Sequence, residues 1–530
     1  MPIVSDASKS RSNDPTEPID DLPEQMRVRR EKLDRIRAAG IEPFPVGFAR
    51  TATITAVRAG HSDLPPDTFT GERVGVVGRV VLSRIGGKLC FATIRDGSGD
   101  LQVMLSLDKI GVDSLARWKS DVDLGDHVGV EGEVITSRSG ELSVLADSWV
   151  LTGKALRPLP DKHKGLADPE ARVRQRYVDL IVNPDARAMV ATRAAVIASV
   201  RQTLARRGYV EVETPSLQTL HGGATARPFK THLNAFDLPL YLRIALELYL
   251  KRLVVGGIER VYEIGRVYRN EGVDSTHSPE FTELEAYEAY GDYDTMAALT
   301  RDIVLEAAAV VGSTVVPDGR GGTIDLAAPW RSVTVHEAVS AATGREISID
   351  TSPEELRKVA AEFDVALQPG WDHGHIVLEL FEKLVEHTLI EPTFVRDYPE
   401  SVRPLARPHR RDPRLVEAWD LIINGVELAP AYSELVDPVE QRRRLTEQSL
   451  RAAGGDPEAM QLDEDFLRAL EYGAPPMGGM GLGIDRLVML LTGAGIRETI
   501  LFPLVRPETV VSPVTVVASA NVSTPGISTQ

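Results

Sequence analysis

The stretch from Glu259 to Tyr290, ERVYEIGRVYRNEGVDSTHSPEFTELEAYEAY, constrains the fold more than any other part of the chain. It reads as strand, loop, strand. Val261, Ile264 and Val267 supply strand-forming residues; Gly272, Asp274, Ser275 and Pro279 break the middle; Phe281 to Tyr290 alternates again. Arg269 and Glu271 close the first strand two residues apart, so an extended backbone aims both at one face. By the same rule Phe281, Glu283, Glu285 and Tyr287 share a face of the second strand. One aromatic, two carboxylates and a phenol do not make an ordinary core, because buried carboxylates need partners or a cationic ligand. Charge on alternate positions also marks the solvated face of an antiparallel sheet. Arg269, Glu271 and His277 beside that face favour a site holding an anion and a cation together.

A chain of 530 residues is long enough for two or more domains. Cys90 is its one cysteine, which excludes an internal disulfide and a thiolate zinc cluster. No apolar run reaches bilayer-spanning length, and MPIVSDASKSRSNDPTEPIDD has no signal-peptide core, so a cytoplasmic protein that does not engage a membrane is expected. The net charge of −17 argues against binding nucleic acid by overall charge and leaves room for local basic patches.

Taken in order, residues 1–20 are rich in Ser, Asp and Pro and are expected to be disordered. RVRREKLDRIRAAG (27–40) carries six basic residues on a helical pattern; it is either a solvated helix or a contact for RNA phosphates. Residues 71–151 hold five short strands with a helical stretch, Val112 to Lys119, between the third and fourth, which suggests an OB-fold barrel. Spacing alone makes Phe91 a core residue. A basic, Pro-containing connector (157–180) leads to a helix striped by Val190, Ala194, Ile197, Val200 and Leu204 and stopped at Gly208. Residues 292–415 show helical patterns to which no chemistry is assigned, and 508–530 reads as a disordered tail.

WDLIINGVEL (419–428) contains Asn424-Gly425, a strong short hairpin signal. A two-residue loop sets Ile423 opposite Val426 and Ile422 opposite Glu427. Asp420 and Glu427 are then diagonal neighbours, roughly 7–8 Å apart at the backbone. Two hard oxygen donors at that spacing suit Mg²⁺ ions that also hold phosphate oxygens; the other reading is an exposed acid pair on a hairpin.

ArgAsnGlu at 269–271 followed by HisSerProGluPheThr at 277–282 resembles motif 2 of class II aminoacyl-tRNA synthetases, in the form of the lysyl-tRNA synthetase family. GYVEVETPSLQTLHGGATARPF (208–229) resembles motif 1 and the segment after it, and GMGLGIDRLVMLLTG (479–493) resembles motif 3. YLRIALELYLKRL (241–253) and YSELVDP (432–438) are similar to that family's own signatures. The resemblance spans roughly residues 21–507, and several motifs in the right order are far more specific than one. PVGFAR and KLCFATIRD are closer to an actinobacterial branch, in which the synthetase is often fused to a membrane domain making lysyl-phosphatidylglycerol.

The resemblance implies an α+β multidomain protein: a helix and OB-fold anticodon-binding domain at 21–155, and a class II catalytic domain at 156–507 whose antiparallel sheet is flanked by helices, with an insertion around 292–415. It implies a homodimer acting on ATP, L-lysine and tRNA(Lys), with more than one Mg²⁺ per subunit. Arg269 matches the arginine on the α-phosphate, Arg486 that on the γ-phosphate, and His277 faces the same phosphate tail. Phe281 and Arg486 would sandwich adenine, and Glu271 would accept from its amino group. The metal carboxylates fall at Asp420 and Glu427. Glu285, Tyr287 and Glu434 match residues around the ε-amino group of lysine, Glu247 and Gly223 those near the α-amino group, and Tyr432 also belongs to the lysine site. Arg79, Phe91 and Gln102 match anticodon contacts.

The sequence departs from the family pattern at three positions: Leu246 replaces a proline, Glu283 an apolar residue, and Pro430 an asparagine that contacts the amino acid. Proline at 430 implies a strand end or bulge, and a regular strand would put Glu427 and Glu434 on opposite faces, so a break is required. Other readings of the same motifs are a supplier of lysyl-tRNA for lipid lysylation and a non-catalytic tRNA-binding paralogue; Arg269, Asp420, Glu427 and Arg486 oppose the latter.

Overall fold

The computed structural model describes residues 22–160, 165–274, 277–456 and 458–506. The disorder expected at 1–20 and 508–530 lies outside the described residues. The chain divides into two compact units, Met1–Ala167 and Asp168–Gln530.

In the first unit, β1 (Phe69–Ile85), β2 (Leu89–Arg95), β3 (Asp100–Ser106), β4 (His127–Thr136) and β5 (Leu142–Gly153) close a barrel in the order β1-β2-β3-β5-β4. A helix over Val112–Asp121 sits between β3 and β4, as an OB-fold requires. Period-two alternation sends Cys90, Ala92 and Ile94 of β2 and Leu101, Val103 and Leu105 of β3 into the core. Trp118 of that helix closes the core against Trp149, edge to face at 5.1 Å. The basic N-terminal helix, Glu24–Ala38, is neither solvated nor left free for RNA along its whole length. Met26, Leu33 and Ile36 are buried, Arg29 donates to the Leu124 and Ala155 carbonyls at 2.9 and 3.0 Å, and Lys32 and Arg35 pair with Asp123 and Asp121.

The second unit is built on an eight-stranded sheet. In chain order its strands are β6 (Val210–Glu211), β7 (Arg260–Tyr268), β8 (Glu280–Ala289), β9 (Arg331–Thr334), β10 (Thr393–Arg396), β11 (Ala418–Ile423), β12 (Val426–Ser433) and β13 (Met477–Gly483). They lie in the order β9-β10-β11-β12-β13-β8-β7-β6. The six central strands are antiparallel; β9 and β6 add to the two edges in parallel.

Alternation gives this sheet two unlike faces. Leu284 and Ala286 of β8, Met480 and Leu482 of β13, and Trp419 and Leu421 of β11 are buried against three helices, α1 (Pro184–Arg206), α2 (Tyr293–Val311) and α3 (Ile484–Thr492). Val196, Val200 and Leu204 of α1, Ile303 and Ala307 of α2, and Leu487 and Val488 of α3 complete that layer. Each fully buried aliphatic side chain contributes about 1.5–3 kcal/mol. The intervening residues face the other side, where the cavity lies.

The Asn424-Gly425 turn forms as expected, with φ of 57° and 71°, the left-handed pair that a two-residue hairpin with native twist needs. Ile423 pairs with Val426 and Ile422 with Glu427, but Leu421 pairs with Ala429, so Leu428 is an extra residue on β12. This bulge is the required break. Leu428 and Ala429, consecutive, both enter the apolar layer, and Glu427, Pro430, Tyr432 and Glu434 emerge together on the opposite side.

Candidate active site

The open face of the sheet forms the floor of a cavity of about 400 Å³, in the range of small-molecule sites. Gly223, Glu247, Arg269, Glu271, His277, Phe281, Glu285, Tyr287, Asp420, Glu427, Tyr432, Glu434 and Arg486 all line it. Residues spread over more than 260 positions (223 to 486) therefore meet in one place.

One end gathers acids. Glu247, on the first turn of a helix over Glu247–Val255, and Glu285, Tyr287 and Glu434 are all buried. Glu285 accepts from the Tyr287 hydroxyl and from the Leu246 N–H, each at 2.8 Å. A proline at 246 has no N–H, so this departure from the family pattern adds a donor to a carboxylate of the site. Burial, then Glu283 and Glu247, hold the Glu285 carboxyl well above the ordinary range. Gly479 of β13 permits this crowding, since a Cβ there would overlap Glu434 Oε1 and the Tyr287 ring.

The other end mixes arginines with acids. Arg269 donates to the Ile244 carbonyl at 3.2 Å and lies over the Phe281 ring at 5.1 Å. Arg486 donates to the Glu427 carbonyl at 2.5 Å. Glu271 accepts from the Arg227 N–H at 3.2 Å, and His277 is held by Asp274 at 2.9 Å. Glu283 lies between the two ends, 3.8 Å from Arg269, and its Oε2 is buried with no hydrogen-bond partner among the described residues.

Asp420 and Glu427 line the cavity together. Arg403 donates to Asp420 Oδ2 at 2.5 Å, whereas Oδ1 is buried without a hydrogen-bond partner among the described residues. Burial raises the Asp420 carboxyl; Arg403 opposes this and Glu427 adds to it. A hard oxygen left unsatisfied beside a second carboxylate fits a divalent cation that completes its shell with phosphate oxygens and water.

Sequence reasoning missed three supporting groups. Arg403 lies in the segment given no chemistry, which supplies β9 and β10 to the sheet. Tyr398, fully buried beneath the Arg403 guanidinium at 4.5 Å, lies there too. Asp485 joins three elements: it accepts from Arg193 of α1 at 2.5 Å and from the Thr282 N–H of β8 at 2.8 Å, which fixes the start of α3 and so the position of Arg486. The one available signal was the sequence position of Asp485, immediately before Arg486.

In the barrel, register puts Arg79 opposite Arg95, Phe91 opposite Met104 and Gln102 opposite Thr93. Arg79, Phe91 and Gln102 therefore share the outer face of β1–β3. Phe91 is half-buried there and is not the core residue that spacing suggests. Arg79 donates to the Gly125 carbonyl and Gln102 to Ser143 Oγ, both at 2.8 Å.

The family of class II tRNA synthetases (D, K and N) matches residues 168–506, and the OB-fold nucleic acid binding domain matches 74–152. The chain is 54% identical over 497 residues to a lysine–tRNA ligase of Mycobacterium bovis (strain BCG), covering 92% of this chain and 98% of the relative. It is 56% identical over 497 residues to a lysine–tRNA ligase of Kineococcus radiotolerans, covering 93% and 99%. It is also 54% identical over 491 residues to a lysylphosphatidylglycerol biosynthesis bifunctional protein of Nocardia farcinica, covering 92% of this chain and 43% of that one.

Proposed function

The chain belongs to the class II tRNA synthetases, and on that premise we infer that it is a lysine–tRNA ligase. It activates L-lysine with ATP to lysyl-adenylate and pyrophosphate, then transfers lysine to the 3′ end of tRNA(Lys). The observation that carries this reading is the acid-lined end of the cavity, where Glu247, Glu285, Tyr287 and Glu434 meet. Such a site suits a ligand with two ammonium groups. Aminoacylation of tRNA(Lys) with labelled lysine tests it: lysine should appear on the tRNA, and a protein that charges no tRNA would overturn the reading.

In the first step a lysine carboxylate oxygen bonds to the α-phosphorus while the bond to pyrophosphate breaks. Negative charge gathers at phosphorus, so fixed cations must surround it. Arg269 serves the α-phosphate and the incoming carboxylate; Arg486 and His277 serve the phosphate tail. Phe281 offers a ring to adenine, and Glu271 accepts from its amino group. Asp420 and Glu427 would hold Mg²⁺, more than one ion per subunit, which supplies charge neutralisation to the phosphates when bound. In the second step a terminal ribose hydroxyl of tRNA attacks the lysyl carbonyl and AMP leaves.

Anticodon bases stack on Phe91 beside Arg79 and Gln102. Phe91→Ala is expected to weaken tRNA charging, since base–aromatic stacking contributes roughly 1–3 kcal/mol, and to leave pyrophosphate exchange near normal. Equal loss of both activities would make Phe91 a folding residue instead. A homodimer is proposed through the outward side of α1 and the edge strand β6, whose Val210 is 51% exposed. We propose the cytoplasm as the place of the reaction, as part of the ligase reading. Among the described residues no helix is long and apolar enough to cross a membrane. The similarity to the Nocardia bifunctional protein favours, as a second reading, that some of the lysyl-tRNA serves lipid lysylation by a separate transferase.

Pro430, on the cavity floor beside Gly481, takes away one side-chain donor. One neutral hydrogen bond contributes roughly 0.5–1.5 kcal/mol, so Pro430→Asn is expected to lower the lysine KM by up to about tenfold. The preference for lysine over norleucine should be unchanged, because the ε-ammonium contacts are untouched. An unaltered KM would mean that the carboxylate end of lysine lies elsewhere.

A further inference from the structure

Lys251 lies one helical turn after Glu247 on the Glu247–Val255 helix, and its side chain is 1% exposed. A lysine so deeply buried needs compensation. Its Nζ lies 2.5 Å from Glu247 Oε1 and also pairs with Glu434 Oε2 across the helix–sheet boundary. Both acids line the cavity, whereas Lys251 stands behind them. The groups facing this pair are Glu285 and Tyr287 from β8 and Tyr432 from β12. Burial works against the Lys251 ammonium, but Glu247 and Glu434 outweigh it and hold its pKa above the ordinary lysine value. The group is therefore a fixed cation. Glu434 Oε1 is buried without a hydrogen-bond partner among the described residues and remains free for a ligand.

Two carboxylates forced together in a dry site without a cation share a proton, and a protonated carboxyl is a poor partner for an ammonium. We propose that Lys251 is a positioning residue of the amino-acid site: its ammonium bridges Glu247 and Glu434 from behind, offsets part of what burial costs their charged forms, and leaves their other oxygens for the substrate's own ammonium groups. This rests on the lysine–tRNA ligase reading. The competing role is bulk: Lys251 fills space and neutralises a charge with no consequence for lysine.

The test is lysine-dependent pyrophosphate exchange by the full chain carrying Lys251→Met, and separately Lys251→Gln, followed across the neutral pH range. Each variant is expected to raise the lysine KM on the order of 10- to 100-fold, the weight of a lost charged hydrogen bond, with the ATP KM unchanged. Each should also move the acid limb of lysine kcat/KM to higher pH than in the native protein, because burial already raises both carboxyls and only Lys251 opposes it. A native lysine KM and pH profile in folded variants would overturn the proposal. So would joint loss of ATP and lysine use in both variants, which would make Lys251 a folding residue. If the native protein shows no lysine-dependent exchange, the ligase reading fails, which is a separate result.

Discussion

Glu427→Gln is expected to abolish lysine-dependent pyrophosphate exchange while leaving the thermal unfolding midpoint near that of the native protein. Glu427 lies on β12 opposite Ile422, one step diagonally from Asp420 on β11. Asp420 keeps one oxygen bound to Arg403 and the other unsatisfied, so a cation held there needs the second carboxylate of Glu427. Glutamine keeps the shape and removes the charge. Removing one electrostatic partner of a charge-developing transition state costs on the order of 10²–10³ in kcat, and a lost metal adds to that. The main-chain carbonyl of Glu427, which accepts from Arg486, is unaffected by the change. Native exchange rates in this variant would remove the metal assignment.

The second large effect is expected at Glu285. Its two oxygens are already engaged by the Leu246 N–H and the Tyr287 hydroxyl, so its orientation is set before any ligand arrives. A site built to bond an ammonium rejects an analogue lacking it by on the order of 10⁴–10⁵. Norleucine is that analogue for lysine. Glu285→Gln removes the charge of a buried pair, a loss of about 2–5 kcal/mol, which should fall on lysine and spare norleucine. The ratio of their kcat/KM values in exchange should therefore drop by roughly a hundredfold or more. A ratio that does not move would place the ε-ammonium elsewhere.

Local pattern made much of this legible. The alternation Phe281, Glu283, Glu285, Tyr287 marked the cavity face because the intervening Leu284 and Ala286 are apolar. Asn424-Gly425 set the register of β11 and β12, and the parity conflict between Glu427 and Glu434 required a bulge. Its place at Leu428 was not legible, since the conspicuous residue was Pro430 and either end of the segment could absorb the extra residue. The misreading of Phe91 came from its neighbours. In LCFATIR, Leu89 and Phe91 are as apolar as Cys90, Ala92 and Ile94, and only Thr93 and Arg95 further along the same face mark it as the outer one. The basic helix at Glu24–Ala38 looked free because its acidic partners, Asp121 and Asp123, lie some ninety residues away. Arg403 and Lys251 were hidden in the same way: each is defined by a carboxylate brought to it by the tertiary fold, Asp420 and Glu434 respectively.

The central claim is that one cavity selects lysine and activates it with ATP. ATP–pyrophosphate exchange by the native chain, run with lysine and with norleucine in the presence and absence of Mg²⁺, tests it most directly. Exchange should saturate with lysine, require Mg²⁺, and favour lysine over norleucine by on the order of 10⁴ or more. No exchange with lysine, or exchange as efficient with norleucine as with lysine, would contradict it.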